Sequence, residues 1–128
     1  MKLLQKDLEF RKLKKTDFKE FSKLFYLCFK KRISLHFFKW RYFNDKYSFC
    51  YGVFFEKKLI ANVGIKSMIL NNKNKELAIS RHSSMVLKKF RGLRIFSELL
   101  TKVKNKEIKK IKIIVMWPNK NNLASFGI

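Results

Sequence analysis

A chain of 128 residues has room for one domain of ordinary size and not for two. Hydrophobic residues make up 47% of it and Phe alone numbers 14, which is enough apolar surface to offset chain entropy and excludes an intrinsically disordered chain. The 31 Lys and Arg against 9 Asp and Glu leave a formal charge of +22, which attracts any polyanion, nucleic acid included.

That charge alone decides little. The basic residues are scattered along the chain, and Lys, Asn, Ile and Phe share A/T-rich codons, a competing source of the bias. The N-terminal stretch from Met1 has no apolar run resembling a signal peptide, and no segment approaches the roughly 18 uncharged residues of a membrane span, so a soluble cytoplasmic protein is expected. Cys28 and Cys50 lack CxxC spacing, and His36 and His82 form no metal-ligand cluster with them. Both thiols are expected to be reduced core residues, and no metal is expected.

In chain order, Leu8 to Leu13 alternates apolar and charged residues as a short strand does. Asp17 and Glu20 fit a capping box, after which Phe18, Phe21, Leu24, Phe25 and Cys28 share one helical face. Ser34 is placed to cap a second helix reaching about Phe43, whose aromatics Phe37, Phe38, Trp40, Tyr42 and Phe43 read as core or lid packing. Two β-rich runs, Phe49 to Phe55 and Leu59 to Leu70, flank Glu56-Lys57-Lys58, a hairpin turn without the usual Gly or Asn. The polar turn Asn71 to Asn74 leads into a third run, Lys75 to Leu87. Beyond Gly92, Ile95, Phe96, Leu99, Leu100 and Val103 recur at helical spacing, with Glu98 and Lys102 as an i,i+4 pair. Ile111 to Trp117 is strongly β-prone and ends at Pro118, after which Asn121 or Asn122 is placed to cap another helix. The order β-α-α-β-β-β-α-β predicts an α+β domain, a mixed sheet with helices on both faces.

One segment carries chemistry. From Ser84 to Leu100 a strand runs through a basic, Gly-containing turn, Arg91-Gly92-Leu93-Arg94, into a helix. Unpaired N–H groups at the helix mouth, with the positive end of its dipole behind them, make a phosphate site. The segment and its place in the element order resemble the acyl-CoA N-acyltransferase (GNAT) superfamily. The cofactor motif of that family is Gln or Arg, two residues, Gly, one residue, then Gly or Ala, at the start of the helix after the fourth strand. Phe10 to Phe18 resembles the family's first strand and helix cap, and Phe38-Lys39-Trp40-Arg41-Tyr42 the second helix of one bacterial branch. Trp117-Pro118-Asn119-Lys120-Asn121 resembles the end of that branch's fifth strand.

The resemblance implies acetyl-CoA as co-substrate and transfer of its acetyl group to a primary amine of a small molecule, an amino sugar among the options. The pantetheine arm would lie along Met85 and Val86, and the diphosphate on Arg91, Gly92, Leu93, Arg94, Ile95 and Phe96. Asn119 and Asn121 would add further cofactor contacts. Arg94 and Phe96 depart from the family's small residues, so a left-handed backbone at Arg94 would cost on the order of 1 kcal/mol. His82, with Ser80 and Ser84 expected on the same strand face, is the candidate base; no Tyr follows Tyr51 to serve as the family's usual acid. Family members generally continue through a further helix and two strands. The single domain over residues 1–128 is therefore expected to be incomplete, with an edge strand open to self-association. Two other readings stay open, a basic nucleic-acid-binding module and an inactive remnant of the same fold.

Overall fold

A computed structural model describes residues 7–71, 76–106 and 113–114. Eight elements follow in chain order: β1 (Leu8–Lys12), α1 (Phe18–Phe29), α2 (Leu35–Tyr42), β2 (Phe49–Phe55), β3 (Lys58–Asn71), β4 (Glu76–Val86), α3 (Ile95–Lys106) and β5 (Ile113–Ile114). The strands form one sheet in the order β1-β2-β3-β4-β5, antiparallel from β1 to β4, with β5 parallel to β4 after the α3 connection. This is the mixed sheet that the element order predicts.

Side-chain alternation on the strands divides the core into two layers. Tyr51, Val53, Ile60, Val63, Ile65 and Ile79 face α3, which buries Ile95, Leu99 and Val103 on them. On the other face Cys50, Phe54, Leu59 and Met85 meet α1 and α2 through Phe21, Leu24, Phe38 and Tyr42. The aromatic density of α2 is packing: Phe38 lies 4.7 Å from Phe21 and 5.2 Å from Phe43, ring to ring. Complete burial of such rings is worth roughly 2 to 3 kcal/mol each.

The helix ends show where local signals hold. Ser34 caps α2 by accepting from the Phe37 N–H at 3.1 Å. The expected Asp17–Glu20 box does not form. Arg11 claims the Asp17 carboxylate in a two-pronged pair at 2.8 and 3.0 Å, and Asp17 also accepts from the Lys14 N–H. Glu20 instead accepts from the Leu59 N–H at the start of β3. The hairpin turn between β2 and β3 has two central residues, not three, and both Glu56 (φ 50°) and Lys57 (φ 65°) are left-handed. Such a turn suits the twist of the flanking strands but strains residues with a Cβ. The turn expected at Asn71 to Asn74 and most of the β run from Ile111 to Trp117 lie outside the described residues. Among the described residues, no helix is long and apolar enough to cross a membrane.

Candidate functional site

The site begins with a bulge in β4. Asn62 pairs with Met85 and Gly64 with His82, so two residues of β4, Ser83 and Ser84, stand opposite one of β3. The extra residue puts Ser83 in the left-handed region at φ 51°. The expected line of Ser80, His82 and Ser84 on one face is therefore broken. Ser83, not Ser84, follows His82 towards α2 and meets the Tyr42 hydroxyl at 2.7 Å.

Three residues hold the bulge. Asn62, fully buried, donates from Nδ2 to the Ser83 carbonyl at 3.1 Å. Tyr42 bonds the Ser83 hydroxyl from above, and burial pushes its own pKa up, so it stays protonated. Gly64 makes room for that ring: a Cβ there would stand 2.5 Å from the Tyr42 hydroxyl oxygen and 2.7 Å from ring carbons.

Among the described residues, β4 pairs with β5 only at Ala78 and Ile79, which leaves its later half without a strand on that side. The Leu87 N–H turns inwards to the Ile60 carbonyl. By strand alternation Val86 turns outwards, and its carbonyl accepts from Arg91 Nε at 3.0 Å and from the Cys28 thiol at 3.7 Å. A cleft of about 450 Å³ follows this edge, lined by Cys28, Phe29, Ser84, Met85, Val86, Arg91 and Phe96. Four of the residues expected to hold a cofactor, Met85, Val86, Arg91 and Phe96, come together here. The Met85 side chain belongs to the core, so only its backbone faces the site.

The turn into α3 lies at the end of the cleft. Gly92 has φ 83° and Arg94 φ 61°, the left-handed conformation at the position where the sequence has no glycine. A Cβ on Gly92 would meet nothing within 4 Å, so conformation and not space favours glycine there. The first α3 bond runs from the Glu98 N–H to the Arg94 carbonyl, and among the described residues no acceptor meets the amides of Gly92 to Ser97. The Ile95 side chain is core and Leu93 is exposed, so these two offer amides alone. Arg94 is exposed and has no carboxylate partner among the described residues. Asn119 and Asn121 lie outside the described residues.

On the other side of the bulge a second cleft, about 440 Å³, is lined by Phe25, Phe29, Lys31, Phe37, Arg41, His82 and Ser83. Phe29 is common to both clefts, and the bulge residues Ser83 and Ser84 divide them. His82 is half-buried. Arg41 Nη2, which can only donate, reaches His82 Nδ1 at 2.6 Å, so the ring proton sits on Nε2 and points to Ser80 Oγ at 2.7 Å. Burial first, then the charges of Arg41 and Lys66, lower the His82 pKa, and the imidazole is neutral at pH 7. Arg41 lies 5.4 Å from the Phe37 ring centre, and its Nε is buried without a partner. Lys66 is compensated by Asp45 at 3.1 Å. Arg41, Lys31, Ser83 and Asn62 were not singled out by sequence; the i,i+4 spacing of Phe37 with Arg41 and of Phe25 with Phe29 is the signal that puts them on one wall. Among the described residues, no group of three or more His, Cys, Asp or Glu is arranged to hold a metal ion.

No protein-family model matches the sequence, and no curated protein matches it either. Solved structures do. The aminoglycoside acetyltransferase meta-AAC0020 from an uncultured soil metagenomic sample superposes with a TM-score of 0.78 at 14% identity, over 98% of this chain and 86% of that one. Glucosamine-6-phosphate N-acetyltransferase from Arabidopsis thaliana gives 0.73 at 15% identity, over 94% and 88%. Ribosomal-protein-alanine N-acetyltransferase from Brucella melitensis biovar Abortus 2308 gives 0.71 at 16% identity, over 94% and 86%. The chain has the GNAT fold.

Proposed function

We propose that this chain is an acyl-CoA-dependent N-acyltransferase that moves an acetyl group from acetyl-CoA to a primary amine of a small molecule. The observation that carries the reading is a continuous path among the described residues: amides without acceptors at the mouth of α3, the later half of β4 with no strand beside it, and a bulge at which a second cleft begins. Bound acetyl-CoA would supply an activated thioester carbonyl. The amides of Gly92 to Ser97, with the α3 dipole behind them, suit a diphosphate, and Arg91 and Arg94 add charge to it. The outward carbonyl of Val86 suits an extended arm carrying amides, once Arg91 Nε leaves it for a phosphate. The bulge fixes backbone at the junction of the two clefts, where an acyl carbonyl and an amine would meet. All of the structural neighbours named above are acetyltransferases by name, which supports the same reaction class.

Calorimetric titration with CoA and with 3′-dephospho-CoA tests the reading. Micromolar binding of CoA, weakened severalfold by Arg91→Gln or Arg94→Gln, is the expected result. The absence of both a heat signal and a thermal shift would sink the assignment.

A second reading rests on exposed aromatic side chains, Phe37 of the second cleft among them. Tyr26, Phe37, Trp40 and Tyr47 are exposed, and each has a cation near its ring: Lys30 and Arg32 at Tyr26, Arg41 at Phe37, Lys66 at Trp40, Lys46 at Tyr47. Exposed rings among cations suit stacking of single-stranded nucleic acid. A labelled oligo(dT) 20-mer would then bind with log Kd rising steeply with log salt, and Trp40→Ala would weaken it. Binding insensitive to Trp40→Ala would leave only non-specific attraction by net charge.

A further inference from the structure

Among the described residues, the cleft between α1, α2 and β4 contains two cations with no carboxylate to balance them. Arg41 stands half-buried in the last turn of α2, one of its N–H groups buried without an acceptor and another spent on a neutral imidazole. Lys31 lines the same cleft and has no carboxylate partner among the described residues. No Asp or Glu lines the cleft among the described residues, and the nearby Lys66 is matched by Asp45. A buried guanidinium N–H without an acceptor is costly, and a cleft that keeps one beside three Phe rings fits a ligand with an anionic end and an apolar body.

We infer that the amine accepted by this cleft carries a carboxylate or phosphate, bound by Arg41 with Lys31 beside it, while Phe25, Phe29 and Phe37 hold its apolar part. The inference rests on the acyltransferase reading for the role of the amine, though not for the binding of the anion. It also gives Arg41 a second task. In the free protein, the guanidinium occupies the lone pair of His82 Nδ1, so the imidazole has no site for a proton. When the anion draws Arg41 Nη2 away, that lone pair is freed and accepts the proton that the substrate ammonium must lose before its nitrogen attacks; the N–H bond breaks, an Nδ1–H bond forms, and the nitrogen keeps the electron pair. A substrate without the anion leaves the base masked.

Three related amines separate the possibilities: glucosamine 6-phosphate, muramic acid and glucosamine, which carry a phosphate, a carboxylate and neither. Calorimetry should show one or both charged amines binding ten- to a hundredfold tighter than glucosamine, the loss expected for a charge-assisted contact, and their order identifies the anion. Arg41→Gln should abolish the advantage, Arg41→Lys should keep part of it, and Lys31→Gln should reduce it severalfold. In ¹⁵N spectra of the His82 ring, the Nδ1 resonance should move on binding of the charged amine and stay in place with glucosamine. Equal binding of all three, tighter binding of spermidine, or an advantage that survives in folded Arg41→Gln would overturn the inference. Should Arg41→Gln fail to fold, Lys31→Gln and the His82 spectrum of the unaltered chain decide. Loss of CoA binding with this selectivity intact would remove the acyltransferase reading alone.

Discussion

Ser83 on β4 and Arg94 at the mouth of α3 share a backbone conformation that residues with a Cβ avoid, and the molecule supports them in opposite ways. Ser83 is enclosed by Asn62, Tyr42 and the space that Gly64 leaves, each at bonding or packing distance. Arg94 is exposed, and among the described residues no side chain bonds to it. Strain of about 1 kcal/mol at either place has to be offset. At Ser83 the protein interior does it, so the bulge is a fixed part of the scaffold. At Arg94 no such enclosure exists among the described residues, and the cofactor proposed for the adjacent amides would supply the compensation.

Four sets of substitutions or conditions break or sharpen this contrast. Tyr42→Ala removes a ring that is 1% exposed together with the Ser83 bond, and should cost about 3 to 5 kcal/mol in chemical denaturation. Tyr42→Phe, which loses only the hydroxyl, should cost about 1 kcal/mol. If the two variants were equally stable, the ring would not be what encloses the bulge. Gly64→Ala drives a methyl group into Tyr42 and should cost about 1 to 3 kcal/mol, while moving amide resonances at Ser83. Unmoved resonances there would mean that the bulge does not depend on the Tyr42 ring. Arg94→Gly relieves the left-handed penalty and should leave stability unchanged or raise it by up to about 1 kcal/mol, while weakening CoA binding. Ser83→Gly should not stabilise, because it also gives up the Tyr42 bond; a gain of similar size at both positions would erase the distinction.

The smallest effect is in acid. Burial opposes ionisation of Asp45, but hydrogen bonds from Ser48, Lys66 and two backbone amides outweigh it and hold the pKa at about 2. The Arg11 hydrogen bonds likewise lower the pKa of Asp17. A depressed carboxylate stabilises the fold above its unfolded value of about 4, and that contribution is lost as pH falls through the folded value. Stability should therefore decline from about pH 4 towards pH 2, less steeply in Asp45→Asn. His82 acts in the same direction at higher pH, because its lowered pKa makes protonation unfavourable to the fold as pH falls below about 6.5.

Most of the fold could be read from the sequence because it depends on periodicity. The β-rich run Phe49 to Phe55 forms β2, and the helical spacing of Ile95, Leu99 and Val103 corresponds to the face of α3 that packs. The expected capping box fails because Asp17 has a stronger partner six residues upstream, and a bidentate guanidinium outweighs a cap. The bulge gave no such signal. It falls in the polar run Ser80 to Ser84, where no apolar alternation marks a slip of register, and the residue at its centre is not Gly. Arg41 is illegible for a related reason: its aromatic neighbours mark α2 as packing, and only the tertiary structure brings its last turn against His82 on β4.

The hairpin between β2 and β3 carries the same kind of strain in its two turn residues, Glu56 and Lys57, with no gain visible at the turn itself. A loop bent against its own preference does not nucleate the pair of strands it joins. Closure is then expected to start among the side chains near Cys50 and Gly64 and to reach the loop last, so Asn-Gly at positions 56 and 57 should slow unfolding and leave the refolding rate nearly unchanged. A stopped-flow chevron in which only the folding limb moves would show the reverse order of assembly.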